Sequence, residues 1–127
     1  MPTHRDNGFT LLEMLVTLAI MAMVGALVFP GMENGIQALA FRRAVDLVEG
    51  NLKRAHAAAI AGRGAVSLMP GGVLRQMPAG ISLASAPAAI TFFPDGSSTG
   101  GVLTVRSGTH RAQLDIDPVT GNFVSGR

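Results

Sequence analysis

The sequence predicts an α+β fold in which a long N-terminal α-helix, transmembrane in its first half and amphipathic in its second, packs on a small antiparallel β-sandwich head. Three observations predict it. Residues 9–29 form an apolar run whose one charge is Glu13. Apolar residues recur every three or four positions between Phe41 and Ala59, as on one face of a helix. From Ala65 onward, short β-type runs alternate with Gly, Pro and Ser, so the helical period is lost.

The composition limits the size of the fold and excludes several functions. A chain of 127 residues leaves room for one small domain once a membrane segment is subtracted. It contains no Cys, so packing and β-pairing must hold the head together, and thiol chemistry is excluded. The net charge of +2 gives little support for nucleic-acid binding, which usually shows clustered basic residues.

The apolar run is long enough to cross a membrane. At about 1.5 Å per residue, residues 9–29 form a helix about 30 Å long, which matches the hydrocarbon core of a bilayer. Arg5 precedes the run and the rest of the chain follows it, which favours a cytoplasmic N-terminus. Three alternatives stay open at this point: a secretory signal cleaved near Ala38-Leu39-Ala40, a plain signal anchor, and the buried helix of a soluble protein.

Glu13 is the unusual residue of the run. A carboxylate in an apolar span costs about 2.5 to 3.5 kcal/mol at mid-bilayer, and less near the edge, and such residues are usually functional. A plain anchor has no use for one. Glu13 therefore marks the run as more than an anchor.

The segment Gly8-Phe9-Thr10-Leu11-Leu12-Glu13 resembles the processing site of type IV prepilins and type II secretion pseudopilins. The resemblance implies that a prepilin peptidase cuts between Gly8 and Phe9 and that the new amino terminus of Phe9 is N-methylated. It also implies that Glu13 neutralises the terminal amine of a neighbouring subunit during assembly. Because Phe9 and Glu13 are four residues apart on one helix, pairing within the same chain stays an alternative.

The second half of the helix follows a local weakness at Pro30 and Gly31, where helix hydrogen bonds are missing or poorly supported. This helix break resembles the segment that bends or melts in pilin filaments. Beyond it, one stripe is predicted to pack under the head and the opposite face to be solvated. The stripe comprises Phe41, Val45, Val48, Leu52, Ala55 and Ala59, and the solvated face comprises Arg42, Arg43, Asp46, Glu49, Lys53 and Arg54. The helix is predicted to end at Gly62-Arg63-Gly64.

The head is predicted from residue 63 onward. The expected strands are 65–69, 73–77, 81–83, 89–93, 102–106, 111–116 and 122–124. Within them, residues 90–101 and 114–121 are similar to the C-terminal domain of the H-type minor pseudopilins and their relatives among minor pilins. The expected domains are a leader at 1–8, a transmembrane and assembly helix at 9–29, a periplasmic amphipathic helix at 30–62, and the head at 63–127.

The acids and histidines of the chain are the candidates for a catalytic or metal site. A metal loop at Asp95 with Asp115 and Asp117 is less favoured than a turn at Asp95-Gly96 and a strand whose acids face water. The three histidines, His4, His56 and His110, are expected to lie on the surface, each isolated from other catalytic residue types. The pairs Gly71-Gly72 and Gly100-Gly101 lack the strand-glycine-helix order and the following Lys of a phosphate loop. The sequence thus predicts no enzyme, no metal and no cofactor.

The resemblance implies a minor pseudopilin of the type II secretion system, held in the bacterial inner membrane by one span with its head in the periplasm. Its expected partners are the other major and minor pseudopilins, the prepilin peptidase and N-methyltransferase, and the inner-membrane secretion platform. One alternative is a minor type IV pilin acting in pilus assembly, twitching or DNA uptake, in which Arg106, His110, Arg111 and Arg127 would contact nucleic acid. Asp115 and Asp117 lie in the same stretch, so nucleic-acid binding is not expected. A further alternative is a membrane-tethered binding module that never polymerises, for which Glu13 would be dispensable.

Overall fold

The computed structural model describes Gly8 and residues 10–126, except for the side chain of Arg63. Helix α1 spans Leu11–Ala58 and continues into one π-helical turn, Ala59–Arg63, which ends where Gly62 adopts a positive φ of 82°. A Cβ at that φ would be strained, so glycine permits the helix to stop there. The helix end predicted at residues 62–64 is confirmed.

The elements of the head follow in the order β1, α2 and β2 to β6. Their bounds are Val66–Leu68 for β1, Pro70–Leu74 for α2, Ser82–Ala86 for β2, Ile90–Phe92 for β3, Gly101–Ser107 for β4, His110–Ile116 for β5 and Phe123–Gly126 for β6. Strands β1 and β3 form a two-stranded antiparallel sheet, and the other four form an antiparallel sheet in the order β2-β4-β5-β6. The predicted α+β class is confirmed.

The strand predicted at residues 73–77 is wrong. The segment Pro70–Leu74 is a short helix with proline in its first turn, where the missing amide hydrogen costs nothing and the fixed φ suits the helix. Val73 belongs to this helix, and its side chain is buried in the core. The strand predicted at 81–83 is displaced toward the C-terminus, since β2 is Ser82–Ala86.

The chain divides into two compact units, Met1–Ile36 and Gln37–Arg127. In the first unit, large apolar side chains of α1 are exposed, including Leu11 at 82%, Leu27 at 81% and Phe29 at 70%. This is the one helix of the described residues that is long and apolar enough to cross a membrane, and none of its most apolar 18-residue window is buried. A membrane-length apolar segment with no buried residue is not packed like the core helix of a soluble protein, which counts against that alternative.

In the second unit, the C-terminal part of α1 packs on both sheets in one hydrophobic core. The helix buries Ala44, Val48, Leu52 and Ala55, with Ala59 following in the π turn. The predicted stripe is thus confirmed, with Ala44 added and with Phe41 and Val45 half-buried at its margin. The remaining core residues are Val73, Ile90, Phe92, Leu103, Val105, Ala112, Leu114 and Ile116. The opposite face of the helix is solvated as predicted, with Glu49 half-buried and the other five charged residues exposed.

Candidate processing and assembly site

The start of helix α1 is set by a threonine cap. The Thr10 carbonyl accepts the amide of Met14 at 3.2 Å, and the Thr10 hydroxyl accepts the amide of Glu13, also at 3.2 Å. A helix leaves its first four amides without intrahelical partners, and a threonine in this position supplies one acceptor. The helix therefore begins at Leu11, three residues after the proposed cleavage position at Gly8, which is itself exposed.

Glu13 occupies the third helical position after this cap. The order Thr10-x-x-Glu13 fits a capping box, in which the glutamate would also reach back to the threonine amide. That return bond is not formed between these two described residues, whereas the Glu13 carbonyl accepts the hydroxyl of Thr17 at 2.8 Å. The Glu13 side chain is exposed. Its carboxylate therefore lies near the positive end of the helix dipole, where a negative charge is stabilised.

Several predicted residues lie outside the described part of the chain. They are Phe9, the site of the expected methylation, Arg127, the terminal member of the alternative nucleic-acid contact, and the leader residues 1–7. Pro30 and Gly31 are described, and both are helical and exposed within α1. The break or bend expected there in an assembled filament stays a prediction.

The arginines of the alternative nucleic-acid contact come together at the end of the β4–β5 hairpin. Arg106 and Arg111 are directly paired across the two strands, and both are exposed. Like charges directly opposite each other on two strands destabilise a sheet. Among the described residues, Arg111 finds a partner in the Oε1 atom of Gln113 at 3.5 Å, and not in a carboxylate.

The acids of the head behave as expected for turns and a half-buried strand. Leu114 and Ile116 are buried, whereas Asp115 and Asp117 are exposed. The Asp117 carboxylate accepts the amides of Thr120 at 3.0 Å and Val119 at 2.7 Å, and these bonds lower its pKa.

The Asp95 carboxylate holds the neighbouring turn in the same way. It accepts the hydroxyl of Ser97 at 2.6 Å and the amide of Ser97 at 3.0 Å, and both bonds lower the pKa of Asp95. Carboxylate oxygens bonded to donors of their own turns are stabilised in the ionised form. Each turn thus presents a negative charge at neutral pH.

Two histidines expected on the surface are half-buried instead, and that expectation is wrong. The His56 ring lies 5.4 Å from the Phe92 ring, and its Nε2 atom lies 3.0 Å from the Gly96 carbonyl, to which it donates when protonated. The His110 ring lies 5.4 Å from the Phe41 ring, and its Nδ1 atom is buried without a hydrogen-bond partner among the described residues. The histidines contact residues distant in sequence, so no local pattern could have revealed these contacts.

Comparison with known proteins gives two matches. The family model described as the prokaryotic N-terminal methylation motif matches residues 3–29. Over 140 aligned residues, the chain is 29% identical to a protein named Type II secretion system protein H from Xanthomonas campestris pv. campestris, and the match covers 94% of this chain and 83% of the relative. No solved structure matches the chain.

The methylation motif lies on a capped apolar helix, and that helix continues into the core of a small antiparallel β head. These features together are similar to those of pilin-like proteins, and the helix is long and apolar enough to anchor the chain in a membrane. Within that class, the match along nearly the whole chain supports a pseudopilin of the type II secretion system, of the minor kind.

Proposed function

We propose that this chain is a minor pseudopilin that is cut between Gly8 and Phe9, methylated at Phe9 and assembled into a short periplasmic pseudopilus that drives export of folded proteins. The observation that carries the proposal is the methylation motif on a helix whose apolar side chains remain exposed. Such a helix needs lipid before assembly and other apolar helices after it. The proposed role is structural, so the chain supplies packing surfaces and a charge rather than a catalytic group.

Glu13 supplies the negative charge that pairs with a terminal amine during assembly. An unpaired carboxylate or ammonium is penalised in a medium of low dielectric constant, where opposite charges attract far more strongly than in water. When the leader is removed, Phe9 gains a terminal amine at the same end of the helix as the exposed Glu13 carboxylate. Pairing the amine of one subunit with the Glu13 of the next removes both penalties, although pairing within one chain would compete.

The proposed location is the inner membrane, with the N-terminus in the cytoplasm and the head in the periplasm. The proposed partners are the other major and minor pseudopilins, the prepilin peptidase that also methylates the new terminus, and the secretion platform of the inner membrane. The apolar helix near the N-terminus, which is long enough to cross a membrane, supports the anchoring. Arg5, which precedes the helix in sequence, supports the orientation.

The test of processing is the intact mass and N-terminal residue of the protein extracted from membranes, with and without the prepilin peptidase. We expect a chain that begins with methylated Phe9 when the peptidase is present and an uncut chain when it is absent. A start near Phe41 would indicate an ordinary secreted domain. An uncut chain in both strains would leave only a membrane anchor.

The test of assembly is Glu13→Gln, which removes the charge and keeps the size of the side chain. We expect processing to continue, incorporation into filaments to fall at least tenfold, and secretion to fail, because the terminal amine loses its counter-charge. Filament incorporation is measured by shearing or crosslinking. Glu33→Gln is the matched control, since Glu33 is also an exposed glutamate of α1. Unchanged function in Glu13→Gln would favour the tethered binding module that never polymerises.

A minor type IV pilin is the second candidate function, and the direct pairing of Arg106 with Arg111 is the observation that favours it. A pilin acting in DNA uptake would use this basic pair on the phosphate backbone. Loss of twitching or DNA uptake on deletion, with secretion intact, would support this candidate over the pseudopilin.

A further inference from the structure

The outer face of the four-stranded sheet ends in a basic cluster at the β4–β5 hairpin. Arg106 is paired with Arg111 on one side and with Ser82 on the other. The two arginines and the serine line an open cavity of about 540 Å³ together with Thr109 and His110. We call Arg106 and Arg111 the arginine pair. Two adjacent guanidiniums beside hydroxyl groups form a set of donors suited to anions.

The opposite end of the same sheet carries the acidic turns. The turn held by Asp117 follows β5 directly, and the Ser98 amide donates to the Pro118 carbonyl at 2.8 Å, which places the Asp95 turn beside it. Both carboxylates are exposed and have lowered pKa values, so they are ionised at neutral pH. At about 3.4 Å per residue, the strand from Gly101 to Arg106 separates the two ends by about 17 Å. The head therefore carries positive charge at one end of its strands and negative charge at the other.

The chemistry around the arginine pair favours a carboxylate ligand over a nucleic-acid backbone. Gln113 bridges from Arg111 to Asp115, since its Nε2 atom donates to the Asp115 carboxylate at 3.2 Å. A carboxylate on this outer face would repel an extended run of phosphates. A protein partner that offers one or two carboxylates avoids this repulsion, because its contact can be confined to the basic end.

We propose that the arginine pair docks the acidic turns of a second copy of this chain, so that Arg106 and Arg111 of one head meet Asp95 and Asp117 of the next. The inference rests on the proposed filament function and specifies a contact between heads. The contact joins two different surfaces of the same molecule, so it is heterologous and does not close as a symmetric dimer. The repulsion within the arginine pair is relieved when the second copy arrives.

The test is crosslinking of the full-length chain in membranes, where the natural absence of Cys leaves only engineered thiols. One tagged copy carries Thr109→Cys at the basic end, and a differently tagged copy carries Val119→Cys in the acidic turn, where the side chain is 78% exposed. A short bismaleimide should join the two copies. Raising the salt concentration from 0.05 M to 1 M should lower the yield severalfold, because exposed charges are screened.

Charge-neutralising variants make the assignment specific. Arg106→Gln with Arg111→Gln in the first copy should lower the yield about threefold or more and raise the stability of the head. Asp95→Asn with Asp117→Asn in the second copy keeps an oxygen to hold each turn and should lower the yield by a similar factor. Because the two changes remove the same contact, their combination should add little further loss. Arg75→Gln, at another exposed arginine of the head, is the matched control and should change nothing.

The inference is overturned if the wild-type copies give no crosslink, if the yield ignores the arginine substitutions, or if Arg75→Gln reduces it equally. It is also overturned if the detergent-extracted chain binds duplex DNA and loses that binding with the arginine pair, which would assign the pair to phosphate. The N-terminal residue is determined on the same samples. A chain that starts at Phe9 but gives no crosslink refutes the docking alone, whereas an uncut chain refutes the proposed function.

Discussion

At the scale of single residues, His56 and Gly121 show how tightly the head holds its turns to the helix. His56 lies on α1, and its Nε2 atom reaches the Gly96 carbonyl of the Asp95 turn. Gly121 lies in the Asp117 turn, beside these two atoms, and adopts a positive φ of 67°. A Cβ on Gly121 would lie 2.5 Å from the Gly96 carbonyl oxygen and 2.7 Å from His56 Nε2. Only a residue without a Cβ fits between the two turns.

Gly121→Ala is therefore expected to destabilise the head. Overpacking a closed contact typically costs about 1 to 3 kcal/mol, and the positive φ adds strain for any residue with a Cβ. The free energy of unfolding is measured by denaturant titration of the detergent-solubilised chain. Gly72→Ala is the control, because a Cβ there meets no atom within 4 Å and Gly72 lies in helix α2, which alanine favours. Equal stability of the two variants would contradict the packing described here.

At the scale of elements, α1 contains two kinds of helix in one continuous span. Its N-terminal part exposes apolar side chains in the single chain, whereas its C-terminal part has an apolar stripe facing the head and charges facing solvent. A surface helix in water needs the second pattern, and a helix in lipid or among other apolar helices needs the first. The stripe, not the length of the helix, couples α1 to the head.

Leu52→Ala is the test of that coupling. Leu52 is fully buried from α1, so truncation removes apolar contacts and leaves a cavity, at an expected cost of about 2 to 5 kcal/mol. Leu39→Ala makes the same chemical change on the same helix at a side chain that is 56% exposed. Its cost should stay below about 1 kcal/mol. The measurement is again the free energy of unfolding, and comparable losses in the two variants would show that the stripe is not the packing face.

Much of this architecture could be predicted from the sequence, because the period of apolar residues is a local signal. The apolar run, the stripe on α1 and the alternation of Leu114 and Ile116 with two aspartates all appear in the structure as expected. The segment after Pro70 could not be predicted correctly, since its glycines and valine suit a turn and a strand as well as a short helix. The His56 contact joins residues 40 positions apart, and the pairing of Arg106 with Arg111 depends on strand register. Neither has a local signature.

At the scale of the whole molecule, the buried side chains belong to one of the two compact units. Every described residue that is buried lies from Ala44 onward, in the unit Gln37–Arg127. The first unit therefore contributes no apolar burial to the core. Its exposed apolar surface is available to lipid or to other chains.

A chain that begins at Gln37 is expected to fold without the membrane segment. It retains the whole core and both sheets, so it should show a mixed helix and strand circular dichroism spectrum and one cooperative unfolding transition. A second truncation beginning at Leu47 removes Ala44 from the core and should lose stability. A chain from Gln37 that unfolds without cooperativity would show that the first unit is needed for folding.

The threonine cap also bears on what removal of the leader does to the helix. Between the described residues, both hydrogen bonds at the start of α1 use Thr10, so each joins residues on the C-terminal side of the proposed cut. Removing the leader breaks none of these bonds. The capping residue that sets the start of the helix therefore stays in the mature chain. Presequences of different length and composition upstream of Gly8 should then leave the start of α1 at the same residue, which the circular dichroism of chains with exchanged presequences would check.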